Sequence, residues 1–316
     1  MGQSATTWPK SPAYRQGSGL QATPRTALTV VEVIVAIAII GLLMALVLPA
    51  VQSAREASRN IQCRSNLRQL GLASQNYLST HGVFPRASYG GWFSVFVGLL
   101  PDLEQSSVFD QVDFSKSSFD QPKLYRLRPK VLACPSDPVV WRYPWRPSYH
   151  GNYGWLDTGT SLNEAVKFHT SNGVIITRSL RPNDIRDGLS QTALFAEALP
   201  SGDSNPKRLI WKDSNVLEVR PGAALAARCL TSNVVNRNAS RGAVWTYAPP
   251  GQTLYDHILP PNSKSCNYVH TGGSLHPGGM NVAFCDGSAR FVNDSVDATL
   301  WRSLGTRNGG ESIGGF

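Results

Sequence analysis

Residues 28–51 read LTVVEVIVAIAIIGLLMALVLPAV, an apolar run interrupted by one charge, Glu32, and one late proline, Pro49. About 20 such residues at ~1.5 Å rise cover the ~30 Å hydrocarbon core of a bilayer, so the run predicts a membrane-spanning helix rather than a buried core helix. An ionised carboxylate costs roughly 2.5–3.5 kcal/mol at a bilayer centre, and an acid within such a helix points to function. Glu32 sits near the end of the run, where that cost is smaller. It follows a leader that holds Lys10, Arg15 and Arg25 and no acidic residue. A secretory signal peptide has an apolar core of only ~7–15 residues with its cleavage site after it; here helical patterning continues past the run. An uncleaved membrane anchor is the competing reading, since a first-turn carboxylate suits the positive end of any helix.

Beyond Pro49 the pattern becomes amphipathic. Ala54, Ala57, Ile61, Cys63, Leu67, Leu70, Ala73 and Tyr77 recur mostly at spacings of three and four, the helical period. The helix is expected from about Leu28 to about Leu78, roughly 75 Å long, with its second half laying this stripe on a globular head. Gly82 and Pro85 end it. Arg55, Arg59, Arg64 and Arg68 fall on a solvated face.

The segment Ala27-Leu28-Thr29-Val30-Val31-Glu32 and the apolar helix after it resemble the prepilin-type signal of type IV pilins and type II secretion pseudopilins. The resemblance implies cleavage between Ala27 and Leu28 by a prepilin peptidase and methylation of Leu28 as the new terminus. It also implies a fifth-residue glutamate in Glu32 and a helix proline in Pro49. Ala27 departs from the glycine usual before the cut. By the same resemblance, Glu32 neutralises the terminal amine of a neighbouring pilin-like subunit as helices leave the membrane lipid for a filament. An unpaired charge in lipid is costly, and only the correct register removes that cost. The chain is then a single-pass protein of the bacterial inner membrane, N-terminus cytoplasmic, with its head exported to the periplasm or surface. The organisation expected is a leader over 1–27, a transmembrane half-helix over 28–51, an amphipathic half over 52–80 and a globular head over 81–316.

A second series of motifs runs through the head: Gly91-Trp92, Leu100-Pro101-Asp102-Leu103-Glu104-Gln105, Cys134-Pro135-Ser136-Asp137-Pro138, Asn152-Tyr153-Gly154, Asp184-Ile185-Arg186-Asp187-Gly188-Leu189-Ser190-Gln191-Thr192 with Glu197, and His276 separated by nine residues from Asp286-Gly287. Their order resembles a bacterial family called domain of unknown function 1559, which joins a prepilin-type N-terminus to an H-x9-D-G signature. It implies an α+β, pilin-like architecture: a long N-terminal helix packed on a head with an antiparallel sheet and long loops. It supplies no activity.

The chain's 41% hydrophobic content allows one sizeable core once the helix is set aside. The net charge of +9 falls to +6 without Lys10, Arg15 and Arg25. It is spread out, with no dense basic block and no nucleic-acid motif. Five cysteines, Cys63, Cys134, Cys229, Cys266 and Cys285, leave one over, and connectivity is not readable from sequence. Cys63 with Cys134 is the preferred pair, tying helix to head.

Asp286-Gly287 lies between the alternating stretches Met280–Cys285 and Ser288–Val292, a hairpin signal predicting a two-residue type I′ turn with positive φ at both centres. Asp187-Gly188 reads as another turn, followed by a strand over Thr192–Ala198. On this reading His276, Asp286, Gly287, Asp187 and Gly188 are structural, and one histidine is a poor metal set. No cofactor is expected. Calcium at the Asp184–Asp187 loop is conceivable from its oxygen ligands, and some pseudopilins hold calcium in their heads. Trp141, Tyr143, Trp145, Tyr149, Tyr153 and Trp155 form an aromatic cluster that either packs on the sheet or, through Trp141 and Trp145, offers a platform for sugars. With no recognisable catalytic pattern, an enzyme is not expected. The expected function is a filament or pseudopilus subunit; the alternative is a membrane-anchored binding module for a solute or polysaccharide.

Overall fold

A computed structural model describes residues 29–155, 171–201, 204–211, 223–236, 241–266 and 269–311. The cleavage pair Ala27 and Leu28 lies outside them. The chain divides into two units, Met1–Gln52 and Ser53–Phe316, and helix α1 runs from Val30 to His81.

In the first unit, the apolar side chains of α1 are exposed throughout, from Val30 at 75% to Leu46 at 67%. Length and composition suffice for this helix to cross a membrane. Its start has a reciprocal cap. The Thr29 amide donates to Glu32 Oε2 at 2.8 Å, and the Glu32 amide donates to Thr29 Oγ1 at 3.3 Å. This is a capping box, in which each side chain satisfies an amide that a helix start leaves without a partner.

In the second unit, α1 ends where expected. Gly82 adopts φ +71 and its amide donates to the Leu78 carbonyl at 2.8 Å, a left-handed cap that glycine accepts without Cβ strain. The buried face comprises Cys63, Asn66, Leu67, Leu70, Gly71, Ala73 and Ser74. Ala54, Ala57 and Ile61, expected on the stripe, are exposed; half-buried Glu56 and Asn60 face the head instead. The head presents polar groups at that level, so a polar helix face meets them.

The head is α+β. Strands β1 (Ser88–Tyr89) and β2 (Phe93–Ser94) form a small antiparallel pair. The main sheet contains β3 (Tyr149–Asn152), β4 (Ala193–Glu197), β6 (Leu254–Tyr255), β8 (Gly279–Phe284) and β9 (Ala289–Asn293) in the order β6-β3-β4-β8-β9. β5 (Ile210–Trp211) and β7 (Ser265–Cys266) form a separate parallel pair. The main sheet is antiparallel except at β3–β6, which is parallel. That one pairing makes the otherwise antiparallel main sheet mixed. The long excursion between β4 and β6 lets the chain return to the edge in the same direction as β3.

Both faces of the sheet are covered. Leu194, Phe195 and Ala283 join the large cluster with Leu67 and Leu70 of α1. On the other face Met280, Val282, Phe284 and Val292 pack with Trp301 and Leu304 of the helix Ala298–Gly305. Period-2 alternation along β8 therefore points Asn281 and Ala283 toward α1.

The β8–β9 connection differs from the two-residue turn expected. Gly287 N donates to Phe284 O at 3.0 Å and Phe284 N to Ser288 O at 2.8 Å. This encloses the three residues Cys285, Asp286 and Gly287, and only Gly287 has positive φ, +85. It is a type I turn with a glycine bulge, whose twist also suits a hairpin.

Candidate functional site

The end of β4 and the middle of β8 place Glu197 and Asn281 side by side on the face toward α1, and the loop before β8 brings His276 between them and the helix. Glu197, 2% exposed, receives the Asn281 amide on Oε2 at 2.6 Å and the Asn281 Nδ2 at 3.2 Å. Asn281 Nδ2 also donates to Asn60 Oδ1 of α1 at 2.9 Å.

His276 is wholly buried. Its Nδ1 lies 2.6 Å from Glu56 Oε1 and its Nε2 lies 3.1 Å from Glu197 Oε1. Each ring nitrogen faces a carboxylate oxygen at hydrogen-bond distance, an arrangement that favours the protonated form of the ring. Burial pulls the His276 pKa down, but the bonds and charges of Glu197 and Glu56 outweigh it and leave the pKa raised. Glu56 shows the mirror case. Burial pushes its pKa up, yet donation from His276, Arg59 and Ser136 leaves it lowered. Ser136 Oγ bonds Glu56 Oε1 at 3.0 Å, and Arg59 Nε bonds Oε2 at 2.8 Å.

Cys63 of α1 and Cys134 form a disulfide beside this network, with a Cα–Cα distance of 5.1 Å. Cys134 Sγ lies 3.6 Å from His276 Nε2. One sulfur, nitrogen or oxygen ligand atom from each of Cys63, Cys134, Glu197 and His276 can be chosen so that all lie within 4.8 Å of one another. The cysteines come from α1 and a loop, the acid from a strand end, and the histidine from another loop. No single sequence window contains this set.

The segment after Cys134 serves the same region. Asp137 accepts from Val139 N at 2.9 Å, capping the short helix Pro138–Arg142, and pairs with the buried Arg208 at 2.6 Å. Arg241, also buried, donates to the carbonyls of Leu199 at 2.7 Å and Thr271 at 3.1 Å. Neither arginine carried a motif signal in sequence.

Other sequence candidates lie apart from this network. Asp286 Oδ1 accepts from Ser288 N at 2.9 Å, so it serves the turn. Asp187 Oδ2 accepts from Thr306 Oγ1 at 2.9 Å and Gly309 N at 2.8 Å, while Oδ1 accepts from Gly310 N at 2.8 Å. Asp184 Oδ2 accepts from Arg181 N at 2.8 Å. Gly188 takes φ +95, as a turn glycine does. Trp141 is 56% exposed, whereas Trp145 is half-buried and 5.7 Å from the Tyr143 ring. Tyr149 and Tyr153 belong to the core. The aromatic run is thus divided between packing and surface. Cys229 pairs with Cys266, and Cys285 is a buried free thiol.

These features define an α+β head bearing a helix long and apolar enough to enter a membrane. Residues 52–299 match the family model described as a protein of unknown function, DUF1559, and the chain belongs to that family. No curated protein and no solved structure matches the chain.

Proposed function

We propose that the protein is a pilin-like structural subunit of the bacterial inner membrane, held there by the first half of α1 and assembled through that half into a filament or pseudopilus. The observation that carries this reading is the exposed apolar helix with a lone acid in its first turn. Exposed apolar surface on this scale requires lipid or like helices to cover it. Cleavage before Leu28 by a prepilin peptidase, a cytoplasmic N-terminus and an exported head belong to the same reading. The head's chemistry supports a structural rather than catalytic role. Both ring nitrogens of His276 are engaged by carboxylates, which leaves neither free to take up a substrate proton.

The capping box supplies a decisive variant. Glutamine at the third helical position still returns a side-chain oxygen to the Thr29 amide, but it carries no charge to neutralise an amine. Glu32→Gln, like Glu32→Ala, is expected to leave membrane insertion intact and abolish polymer formation in cross-linking and electron microscopy of cell envelopes. Normal assembly by Glu32→Gln would reduce Glu32 to a helix cap. Intact mass of the membrane fraction, expected to begin at Leu28, tests the processing step.

The exposed Trp141 favours one second reading, an anchored module that holds a polysaccharide. Trp141→Ala would then weaken retention on cell-surface glycans with the fold unchanged, and unchanged retention would count against that reading.

A further inference from the structure

We propose that Cys63, Cys134, Glu197 and His276 form a zinc site when the two cysteines are thiols, so that the disulfide and the metal are alternative occupants of one position. Two thiolates, an imidazole and a carboxylate suit a borderline-soft divalent cation and make up a four-ligand set for zinc. The spacing fits. Tetrahedral zinc bonds of ~2.3 Å to sulfur and ~2.0–2.2 Å to nitrogen and oxygen put sulfur about 3.5 Å from nitrogen and nitrogen about 3.3 Å from oxygen. Cys134 Sγ and His276 Nε2 are 3.6 Å apart, and His276 Nε2 and Glu197 Oε1 are 3.1 Å apart.

The surroundings carry the inference further than the four donors do. Zinc-bound histidines generally give their other ring N–H to a carboxylate or carbonyl, which fixes the tautomer and the ring. His276 presents Nε2 to the cluster and commits Nδ1 to Glu56 at 2.6 Å. Glu56 is in turn held by Ser136 and Arg59. Glu197 presents Oε1 while Asn281 holds Oε2. Each non-sulfur ligand therefore has one atom aimed inward and its other atom anchored from outside. All four donors are buried, His276 and Cys63 fully.

A phosphine reductant converts the disulfide to two thiols by supplying two electrons, itself becoming the phosphine oxide with oxygen from water. Zinc then displaces the two thiol protons and the Nε2 proton, leaving His276 neutral with hydrogen on Nδ1 toward Glu56.

The test uses the full chain in detergent, reduced with a phosphine, freed of metal, and titrated with zinc or cobalt(II). The reduced wild type is expected to take up one zinc that the Cys63→Ser/Cys134→Ser variant does not, although Cys229, Cys266 and Cys285 remain. Cobalt is expected to give the intense visible bands of a tetrahedral thiolate site. The unreduced protein is expected to bind neither. Glu56→Gln, which touches no metal, should weaken zinc binding by about 10–100-fold. If reduction unfolds the head, zinc should restore the circular dichroism of the wild type and not of the double variant. A reduced, folded wild type that takes up no zinc, a head that zinc fails to refold, or equal uptake by the double variant would overturn the proposal. None of these results depends on whether the chain forms filaments.

Discussion

Glu56 and His276 are 220 positions apart in sequence and meet at 2.6 Å, Oε1 to Nδ1, on the buried side of α1. Together with the Cys63–Cys134 bond, this contact joins the helix to the sheet through groups from four separate segments. Removing one member of a buried charged set costs about 3–5 kcal/mol, because the partners stay buried without compensation. His276→Ala, which leaves Glu197 facing a void, is expected to lose stability on this scale in denaturant unfolding of the disulfide-bonded protein. Glu56→Gln should lose less, since Glu56 is partly exposed. The double variant should be non-additive, as residues in contact generally are.

The same pair sets a pH dependence. His276 has a raised pKa, so its contribution is complete below its unfolded value near 6.5 and is lost as pH rises through the higher folded value. Glu56 has a lowered pKa, so its contribution is present above 4.5 and is lost as pH falls through the lower folded value. The ring meets Glu56, Glu197 and the Cys134 sulfur, and Arg59 and Ser136 hold Glu56 from its other side. The stability difference between wild type and His276→Gln is therefore expected to be greatest between about pH 4.5 and 6.5. Melting curves of both proteins across that range check it; a difference that grows steadily above pH 7 would contradict this sign.

Gly71 of α1 packs against the β8–β9 turn. A Cβ on Gly71 would lie 3.0 Å from the Gly287 Cα and 3.1 Å from its carbonyl oxygen. Gly71→Val is expected to destabilise by about 1–3 kcal/mol through overpacking. Gly287→Ala should cost about 1–2 kcal/mol for a different reason, the positive φ of +85. Urea midpoints of the two variants measure both effects.

Arg208 and Asp137 are a buried ion pair at 2.6 Å. Arg208→Met removes the cation bonded to this buried carboxylate, and about 3–5 kcal/mol of stability should go with it. Asp137→Asn/Arg208→Met should recover part of that loss, because an uncharged side chain is cheaper to bury.

Cys285 is the cysteine outside the two disulfides and is fully buried, and burial pushes its thiol pKa well up. Alkylation of the native, unreduced protein should leave it unmodified, and labelling should appear only with unfolding. Peptide mapping after unfolding without reduction should then find a single labelled cysteine.

Much of the α+β frame was legible because it rests on local chemistry. The periodicity before Gly82, the apolar run in Thr192–Ala198 and the alternation around Asp286-Gly287 each reflect the geometry of one element. The errors have local causes too. The helix stripe was read from apolar residues alone, so Ala54, Ala57 and Ile61 were placed inward where Glu56 and Asn60 face the head. The hairpin was read as a two-residue turn because an Asp-Gly pair does not reveal that Cys285 joins the loop.

Motif residues were visible as residues and opaque as contacts. Ser136 and Asp137 lie two and three residues after Cys134, yet one serves Glu56 and the other Arg208. Asn152 reaches the carbonyls of Ala193 at 2.7 Å and Gly305 at 3.0 Å, linking three segments.

By itself the sequence determined a long helix with a membrane-length apolar half, where that helix stops, and the three strands β4, β8 and β9. Those properties follow from hydropathy, period and turn chemistry over neighbouring residues. Only the tertiary structure decided that His276 stands between two carboxylates beside a pair of sulfurs. A buried polar cluster is assembled from groups that must satisfy one another across the fold, and pairings across such distances leave no periodic trace along the chain.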